Sequence, residues 1–252
     1  MNRQAINEYQ QRYDELPFEE TMAAIRKKTL LAFFEKYRPE HIAEVGCGNE
    51  SITDFYTNYK HATVIEPAGT FYTRLVKRRA QDAPEKNTLI NDFFSDSLVS
   101  NHDFPRLDAV IISGMLHEIE SPDAILSAAH KICNDKTIVH VNVPNANSLH
   151  RLLAFKAGMI KDLKQRSDLQ TLLKQPHTFD IADLKAMSSK AGFEVIEEGS
   201  YFVKPFTHAQ MEILRTHEKF GEKIIDGLEK LISYLPDYGA EIFVNLRKIN
   251  LT

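Results

Sequence analysis

Short apolar segments that alternate with helix-forming stretches constrain the fold of this chain more than any other feature. Between residues 41 and 143, five such segments recur, and most neighbouring pairs are separated by a stretch able to form a helix. This alternation is typical of a parallel sheet that carries helices on both faces, joined by right-handed crossovers. The predicted strands cover residues 41–45, 62–65, 87–90, 109–112 and 137–143, and the predicted helices 51–59, 71–81 and 123–132.

The sequence on either side of this core is mostly helical. Residues 1–38 have helical spacing of apolar positions up to Pro39, and we predict an N-terminal helical cap there. Later segments complete one predicted domain over residues 1–252, with 39–147 as its binding core and helical insertions at 148–176 and 205–236. Within them we predict helices at 148–175, 181–191 (ended by Gly192) and 207–234, and β segments at 193–196, 201–203 and 240–248.

Composition and charge narrow the classes of protein. Hydrophobic residues make up 43% and charged residues 26%, which is ordinary for a globular domain. The net charge of −4 and the pI near 6.2 give no support to nucleic-acid binding, which usually leaves a basic footprint. No window approaches 18 apolar residues, so we predict no membrane-spanning helix.

The cysteines and the start of the chain indicate the compartment. Cys47 and Cys133 are the two cysteines, and they form no Cys-x-x-Cys pattern. A disulfide framework is therefore not expected, and a reducing cytoplasm is the predicted location, in agreement with a polar start that is unlike a secretory signal. No cluster of histidine, cysteine and carboxylate has convincing metal-ligand spacing, so no metal site is predicted, although magnesium bound by oxygen ligands stays open.

A glycine segment follows the first predicted strand. That strand contains Glu44, and Gly46, Cys47 and Gly48 come directly after it, before a predicted helix. Glycines permit a tight turn and let backbone N–H groups approach a ligand closely, which is the arrangement that cradles nucleotides. Taken alone, the segment is equally compatible with an ordinary strand–helix turn.

Two carboxylates at the ends of the next strands favour a nucleotide. Glu66 ends the second apolar segment, 20 positions beyond Gly46, where an acidic group can accept hydrogen bonds from both ribose hydroxyls. Asp92 follows the third segment and could accept from the adenine amine, with Phe93 packed on the ring. The alternative for each carboxylate is a solvated residue at the end of a strand.

The glycine spacing decides between nucleotide classes. A dinucleotide site needs glycine or alanine at the sixth position of Gly-x-Gly-x-x-Gly, and this chain has Ser51 there. The segment EVGCG, together with Glu66, Asp92 and the fourth-strand segment LDAVIISGMLHEIESPDAIL, resembles the successive motifs of class I methyltransferases that use S-adenosylmethionine (SAM). The resemblance covers roughly residues 38–145 and the late β regions 193–203 and 240–248.

The resemblance implies a fold and a set of cofactor contacts. The fold is an α/β Rossmann-like, seven-stranded, mostly parallel sheet with a reversed terminal strand, helices on both faces and helical cap insertions. SAM is the implied cofactor, with Glu44 in the signature, Gly46 and Gly48 at the methionine part, and Glu66 at the ribose. The remaining implied contacts are Asp92 and Phe93 at the adenine, and Ser113 and Gly114 beside the methionine amino group. The family usually has a third glycine where this chain has Glu50.

The acceptor is expected at the carboxyl ends of the strands. Two polar segments, 114–118 and 142–151, follow strands at this edge. His117 is our first candidate for a general base and His150 the second, because a histidine of near-neutral pKa is the usual group that removes a hydroxyl proton. Each could instead bind a neighbouring loop or face solvent. The predicted acceptor-binding residues are Asn145, Asn147, Arg151 and His177. Arg151 suits a phosphate, but it also fits a basic, solvated helix face.

The polar segment NVPNANSLHR and the helical insertion after it resemble methyltransferases of bacterial polysaccharide and sugar biosynthesis. We therefore expect methylation of a hydroxyl on a sugar or sugar nucleotide, with a small-molecule acceptor as partner. The alternatives are N- or C-methylation of another metabolite, such as an amino sugar or a quinone precursor, and a SAM-binding protein without transferase activity. An NAD-dependent oxidoreductase is disfavoured by Ser51. The helical segment 207–234 is expected to pack in the core or to form a homodimer face.

Overall fold

A computed structural model of the chain describes residues 16–80 and 84–249. The five predicted core strands are present, and each differs from its prediction by at most one residue at either end. They are β1 (His41–Val45), β2 (His61–Ile65), β3 (Asn87–Ile90), β4 (Ala109–Ser113) and β5 (Ile138–Pro144). Their apolar side chains are almost all buried, as expected for parallel strands covered on both faces.

The sheet confirms the predicted fold class. In the described part of the chain it has seven strands in the order β3-β2-β1-β4-β5-β7-β6, where β6 is Phe193–Tyr201 and β7 is Glu241–Lys248. Strand β7 lies between β5 and β6 and is antiparallel to both, and the other neighbouring pairs of this described sheet are parallel. The order reverses between β1 and β4, where Ile42 pairs with both Ala62 and Ala109. Ligands of doubly wound sheets bind at this switch point.

Helices cover both faces of the sheet. Their bounds are α1 (Glu19–Tyr37), α2 (Gly69–Arg79), α3 (Asp96–Asn101), α4 (Pro122–Ile132), α5 (Leu149–Lys156), α6 (Asp168–Leu172), α7 (Ile181–Lys190), α8 (His208–Thr216) and α9 (Gly221–Lys230). The α3 helix was not predicted; Ser95 caps it by accepting a hydrogen bond from the Leu98 N–H. Of the predicted N-terminal cap, residues 1–15 lie outside the described residues, and α1 forms the rest.

Three helical predictions need correction. Residues 51–59 form only a short 3-10 helix, Ile52–Asp54, because the aromatic side chains that follow turn into the core, where Tyr56 stacks on Phe34 at 4.3 Å. Residues 148–175 form two short helices, and the first ends near Gly158, which has a φ of 73°. Residues 207–234 are divided at Gly221, with a φ of 50°. Positive φ is a glycine conformation that interrupts a helix.

The predicted β segment 193–196 and the first residue of 201–203 belong to one continuous strand, β6, and residues 202 and 203 lie outside it. A bulge between Val195 and Glu197 shifts its register, which explains why its alternation of apolar and polar residues is interrupted. The predicted end of α7 is confirmed, since Gly192 follows it with a φ of 85°. Phe202 has a φ of 58° and ends β6.

Two apolar clusters hold helix α1 against the sheet. Its second half packs through Phe33 and Phe34 on Ile42, near the amino end of β1. Its first half, with Met22 and Ile25, packs on the end of β6 and on α8 and α9. The first half of α1 therefore lies near the carboxyl ends of the strands. No helix of the described residues is long and apolar enough to cross a membrane.

Candidate functional site

A cavity of about 730 Å³ lies between α1 and the carboxyl ends of β1, β2 and β4. Its floor is the glycine segment after β1, its sides are the ends of β2 and β4, and its roof is the polar side of α1. The wall residues that carry the argument are Glu19, Arg26 and Lys27 of α1, Glu44, Gly46, Gly48 and Glu50 around the glycine segment, and Glu66, Phe93, Ser113, Gly114 and Glu118 beyond it. The cavity therefore occupies the place where this fold binds ligands.

The glycine segment exposes its backbone to the cavity. Gly46 and Gly48 have φ values of 78° and 55°, which side chains other than glycine rarely adopt. A Cβ atom on Gly46 would lie 3.4 Å from the sulfur of Met115 across the turn. The Gly46 N–H binds the Ile65 carbonyl at 2.8 Å and so fixes the loop to the end of β2. The two glycines thus form a cradle of backbone in which positive φ favours glycine at both positions, although nothing lies within 4 Å of a Cβ on Gly48.

Glu44 supports this loop from inside the fold. Its carboxylate accepts a hydrogen bond from the Ser51 hydroxyl at 2.5 Å and another from the Ile52 N–H at 2.9 Å. Burial raises the pKa of the Glu44 carboxyl to about 8, although these two hydrogen bonds oppose the effect. The carboxylate thus joins β1 to the start of the 3-10 helix, and it also reaches the cavity wall.

Glu66 joins β2 to the same loop. Its carboxylate accepts hydrogen bonds from the N–H groups of Cys47 at 2.9 Å and Gly48 at 3.1 Å, and from Ala68 at 2.8 Å. The residue is 4% exposed, and burial raises the pKa of its carboxyl while the backbone N–H groups lower it. Glu66 lies in the cavity wall. To bind a ribose as predicted, its carboxylate oxygens would have to accept the ribose hydroxyls in addition to these backbone N–H groups.

The predicted adenine and methionine contacts lie on opposite sides of the cavity. Phe93 is in the wall, whereas Asp92 is exposed, is not among the described wall residues, and accepts a hydrogen bond from the Phe93 N–H at 2.8 Å. Ser113 and Gly114 end β4 on the other side. A Cβ on Gly114 would lie 3.6 Å from the guanidinium carbon of Arg26, which is an ordinary contact, so the φ of 68° and not a lack of space favours glycine here.

Glu50 stands where the family usually has a third glycine, and its side chain forms an ion pair. Its carboxylate binds the Lys27 ammonium at 2.6 Å, and both residues line the cavity. The pair is partly exposed, with side chains 33% and 48% accessible. Glu50 therefore connects the glycine loop to the helix that covers it.

His117 is one layer behind the wall. It is 6% exposed, and its Nε2 lies 3.4 Å from the carboxylate of Glu118, a wall residue that also accepts a hydrogen bond from the Gln175 amide at 3.2 Å. The Nδ1 atom is buried and has no hydrogen-bond partner among the described residues. Burial lowers the pKa of His117 to about 3, so the ring is neutral near neutral pH.

The other predicted acceptor residues are outside the described cavity wall, and local contacts occupy them. Arg151 donates to the carbonyls of Leu163 and Gln165, so its guanidinium holds the segment between α5 and α6. The Asn145 amide donates to the carbonyls of Asp237 and Gly239, and its oxygen accepts from the Asn147 N–H at 2.9 Å. These contacts stabilise turns, a use of polar side chains that sequence spacing does not reveal.

The remaining two histidines lie at different depths. His177 is half-buried, and its Nε2 is 3.2 Å from the Glu120 carbonyl, while its backbone N–H approaches the His117 carbonyl at 3.4 Å. His150 is beside Lys204, since its N–H binds the Lys204 carbonyl at 3.1 Å. Burial lowers the pKa of His150 well below its ordinary value, and the charge of Lys204 lowers it further.

A buried polar network behind the wall escaped sequence reasoning. Glu241, the first residue of β7, is 3% exposed and binds Arg26 of α1 through two hydrogen bonds of 3.1 and 2.6 Å. It also accepts from the Asn142 amide at 2.8 Å and from the Tyr201 hydroxyl. Burial alone would raise the pKa of Glu241, but Arg26 and the hydrogen bonds lower it to about 2. The spacing of apolar residues predicts α1 as a helix, but it gives no signal that Arg26 of this helix pairs with Glu241, 215 positions away.

Comparison with solved structures supports the same fold. The plantazolicin methyltransferase BamL, bound to a triazolic desmethylPZN analog and S-adenosylhomocysteine (SAH), matches with a TM-score of 0.60 and 14% identity over 96% of this chain and 90% of its own. The N-methyltransferase NodS from Bradyrhizobium japonicum, with SAH, matches with a TM-score of 0.55 and 11% identity over 95% and 91%. An O-methyltransferase of a trans-AT PKS multienzyme from Brevibacillus brevis, also with SAH, gives 0.51 and 12% over 84% and 67%.

Sequence comparison identifies the family. No curated protein sequence matches the chain. A family model described as a methyltransferase domain, Methyltransf_23, matches residues 17–198, which is more than half of the chain. The matched range contains the whole glycine segment, the ends of β1 to β4 and the cavity wall described above. The chain therefore belongs to this family of methyltransferase domains, as the glycine and carboxylate motifs predicted.

Proposed function

We propose that the cavity binds SAM and that the chain transfers its methyl group to a small-molecule acceptor. The observation that carries the proposal is the wall itself, in which a two-glycine cradle, a strand-end carboxylate and an aromatic ring surround one cavity. SAM supplies an electrophilic methyl group on a cationic sulfonium. The carboxylates of Glu50 and Glu66 in the wall favour a cationic ligand electrostatically.

The residues fit SAM in a defined orientation. The backbone of Gly46 and Gly48 would contact the methionine part, with Ser113 and Gly114 beside its amino group. Glu66 would bind the ribose hydroxyls, and Phe93 would pack on the adenine near Asp92. This orientation directs the methyl group towards the ends of β4 and β5, where the acceptor must align with it for an in-line displacement.

For a hydroxyl acceptor, such as that of a sugar or sugar nucleotide, we propose His117 as the general base. With Nε2 directed at the Glu118 carboxylate, the Nδ1 lone pair is left to accept a proton. The neutral ring is the form that can do so, but burial lowers its pKa to about 3, which makes it a weaker base than the near-neutral histidine that the sequence predicted. His150 is the second candidate, because α5 follows the carboxyl end of β5; its Nδ1 lies 3.0 Å from the Ser148 hydroxyl. The segments 148–176 and 205–236 would cover the acceptor, which the contact of Gln175 with Glu118 supports.

An amine acceptor is the second candidate, and one observation favours it. The part of the wall away from the glycine segment carries more acidic than basic side chains. The four glutamates are Glu19, Glu20, Glu118 and Glu120, and the two cations are Arg26 and Lys27. Carboxylates attract an ammonium group, and a neutral amine needs less help from a base than a hydroxyl does. In that case Glu118 would hold the amine, and His117 would position Glu118.

A methyl-transfer assay separates these two acceptors. SAH release is measured with SAM and a panel of sugar nucleotides and small amines, for the wild type, His117→Gln and Glu118→Gln, with the exposed His102→Gln as control. With a hydroxyl acceptor, we expect His117→Gln to lower kcat by about 100-fold or more, since general-base catalysis contributes that much. With an amine, Glu118→Gln should have the larger effect. Failure of the wild type to bind SAM would overturn the proposed function.

A further inference from the structure

Helix α5 ends in a projection from the fold. Its first residue is held to the body of the protein, since the Leu149 N–H binds the Tyr238 carbonyl at 3.0 Å. From Phe155 to Met159, by contrast, every residue is exposed. The Met159 N–H binds the Ala154 carbonyl at 2.9 Å, a hydrogen bond typical of the turn that ends a helix at a glycine of positive φ. The exposed end of α5 therefore has a defined shape.

Apolar side chains cover much of this projection. We call residues 153–161 the α5 tip. The exposed fractions are 48% for Leu153, 38% for Phe155 and 78% for Met159. Single exposed apolar residues are ordinary on a protein surface, but three large ones so close together in the sequence form a patch. Such a patch indicates contact with an apolar partner.

Cations border the apolar side chains of the α5 tip. Lys156 and Lys161 are exposed, and the Lys156 ammonium lies 5.5 Å from the centre of the Phe155 ring. Neither lysine forms an ion pair with another residue of the described chain. The tip contains no acidic residue, and the Asp162 carboxylate that follows it accepts a hydrogen bond from the Lys164 N–H at 2.6 Å. In a chain of net charge −4, the tip is therefore a local positive patch.

The small size of the α5 tip favours a membrane over a protein as its partner. A standard protein interface buries about 800 Å² on each side and gathers roughly 20–30 residues. Three apolar side chains at the end of one short helix provide much less than that. A lipid bilayer needs less, because apolar side chains can enter the boundary between headgroups and acyl chains while lysines attract anionic headgroups. Lysine suits this place, since its apolar stem packs on apolar surface while its ammonium stays in water.

The α5 tip is connected to the segment 148–176 that is proposed to cover the acceptor. Arg151 of the same helix donates to two carbonyls of the loop before α6, which holds the chain after the tip against α5. Further along this segment, the Gln175 amide binds Glu118 of the cavity wall at 3.2 Å. A membrane at the tip would therefore contact the same segment that reaches the cavity wall.

We propose that the α5 tip docks the protein on an anionic lipid bilayer. Leu153, Phe155 and Met159 enter the headgroup region, and Lys156 and Lys161 lie among the anionic headgroups. The inference goes beyond the proposed methyl transfer and does not depend on it, because the residues of the tip are not among those of the described cavity wall. Docking would bring the cavity close to acceptors carried in the membrane.

Co-sedimentation of the full chain with lipid vesicles tests this proposal. Vesicles of phosphatidylcholine alone are compared with vesicles that also contain about 30% phosphatidylglycerol, an anionic lipid. We expect the wild type to prefer the anionic vesicles, and Lys156→Gln/Lys161→Gln to bind them about 10- to 30-fold more weakly. Lys219→Gln/Lys223→Gln removes the same charge from two exposed lysines outside the tip and should bind as the wild type does.

The fluorescence of one introduced tryptophan tests insertion directly, because the chain contains no tryptophan. On addition of anionic vesicles, we expect the emission of Phe155→Trp to shift to shorter wavelength as the indole leaves water. Phe220→Trp is the matched control, since Phe220 is 46% exposed and lies between the acidic residues Glu218 and Glu222 in the sequence. Its emission should not shift.

No binding of the wild type to anionic vesicles, equal binding to both kinds of vesicle, or an equal loss in the two lysine variants would overturn the proposal. So would an unshifted emission of vesicle-bound Phe155→Trp. Binding of polyglutamate by a wild type that does not bind vesicles would assign the tip to an acidic protein instead and would equally contradict membrane docking. Circular dichroism checks the fold of each variant, and the tryptophan shift decides the question if Lys156→Gln/Lys161→Gln does not fold.

Discussion

Arg26 of α1 and Glu241 of β7 form a two-hydrogen-bond ion pair that joins the first described helix to the last strand of the sheet. The carboxylate is 3% exposed and the guanidinium side chain 20%. Because Arg26 also lines the cavity, one pair stabilises the fold and shapes the site. Removing Arg26 leaves the Glu241 carboxylate buried without this cation, whereas Arg26 without Glu241 keeps an ion pair with Glu19 at 3.6 Å.

We expect Arg26→Met to lower the free energy of unfolding by about 2–4 kcal/mol at neutral pH, since the Glu241 carboxylate would lose its cation. Urea denaturation followed by circular dichroism measures this loss. Lys60→Met is the control, because Lys60 binds Glu40 at 2.6 Å with both side chains exposed. Such surface pairs contribute roughly 0–1 kcal/mol. Equal losses in the two variants would show that the buried pair has no special role.

His140 in the centre of β5 predicts a pH dependence of stability. It is 1% exposed, lies 2.8 Å from the Asn245 amide oxygen, and packs between the rings of Phe33 and Phe243. Burial lowers its pKa to about 4 from 6.5. Between these values the unfolded chain binds the proton and the folded chain does not, so the stability that His140 contributes falls as the pH falls through this window.

His140→Gln should therefore show a shallower decrease of the free energy of unfolding between pH 6.5 and 4, by up to about 1.4 kcal/mol per pH unit. Urea denaturation at several pH values gives the slopes, and a constant loss of packing does not affect them. His217→Gln, at an exposed histidine, should keep the wild-type slope. An unchanged slope in His140→Gln would mean that the ring is protonated in the folded state.

Glu50 replaces the usual third glycine, and Glu50→Gly tests what it does. Its pair with Lys27 is partly exposed, so we expect the variant to change the Kd for SAM by less than about fivefold, with a smaller change at high salt. Isothermal titration calorimetry at low and high salt measures the Kd and its salt dependence. Glu66→Gln at the same loop is the comparison and should lose more affinity for SAM. A loss in Glu50→Gly as large as in Glu66→Gln would place Glu50 at the cationic end of SAM.

The strands and the glycine segment could be predicted because their signals are local. A continuous apolar segment followed by glycine identifies β1 and its turn within ten residues, and Glu66 stands at a fixed distance from Gly46. The seven-stranded sheet and its reversed strand were implied by the family resemblance, whereas the strand order was not predicted. None of these inferences required knowledge of which distant side chains meet.

The rest of the site depends on contacts between distant parts of the chain. Arg26 and Glu241 are 215 positions apart, so no local pattern pairs them. Arg151 looked like a free phosphate ligand in a basic segment, but the chain folds back and its carbonyls occupy the guanidinium. The helix predicted at 51–59 is shortened because Tyr56 packs on α1, a tertiary contact that overrides local propensity.

Binding of SAM, SAH and NAD to the wild type and to Glu66→Ala, measured by calorimetry, tests the central claim most directly. We predict that the wild type binds SAM and SAH but not NAD, and that Glu66→Ala weakens SAM binding by about 1–3 kcal/mol, roughly 5- to 150-fold, because the ribose loses a charged hydrogen-bond acceptor. Binding of NAD without either adenosyl compound, or unchanged SAM affinity in a folded Glu66→Ala variant, would contradict the account.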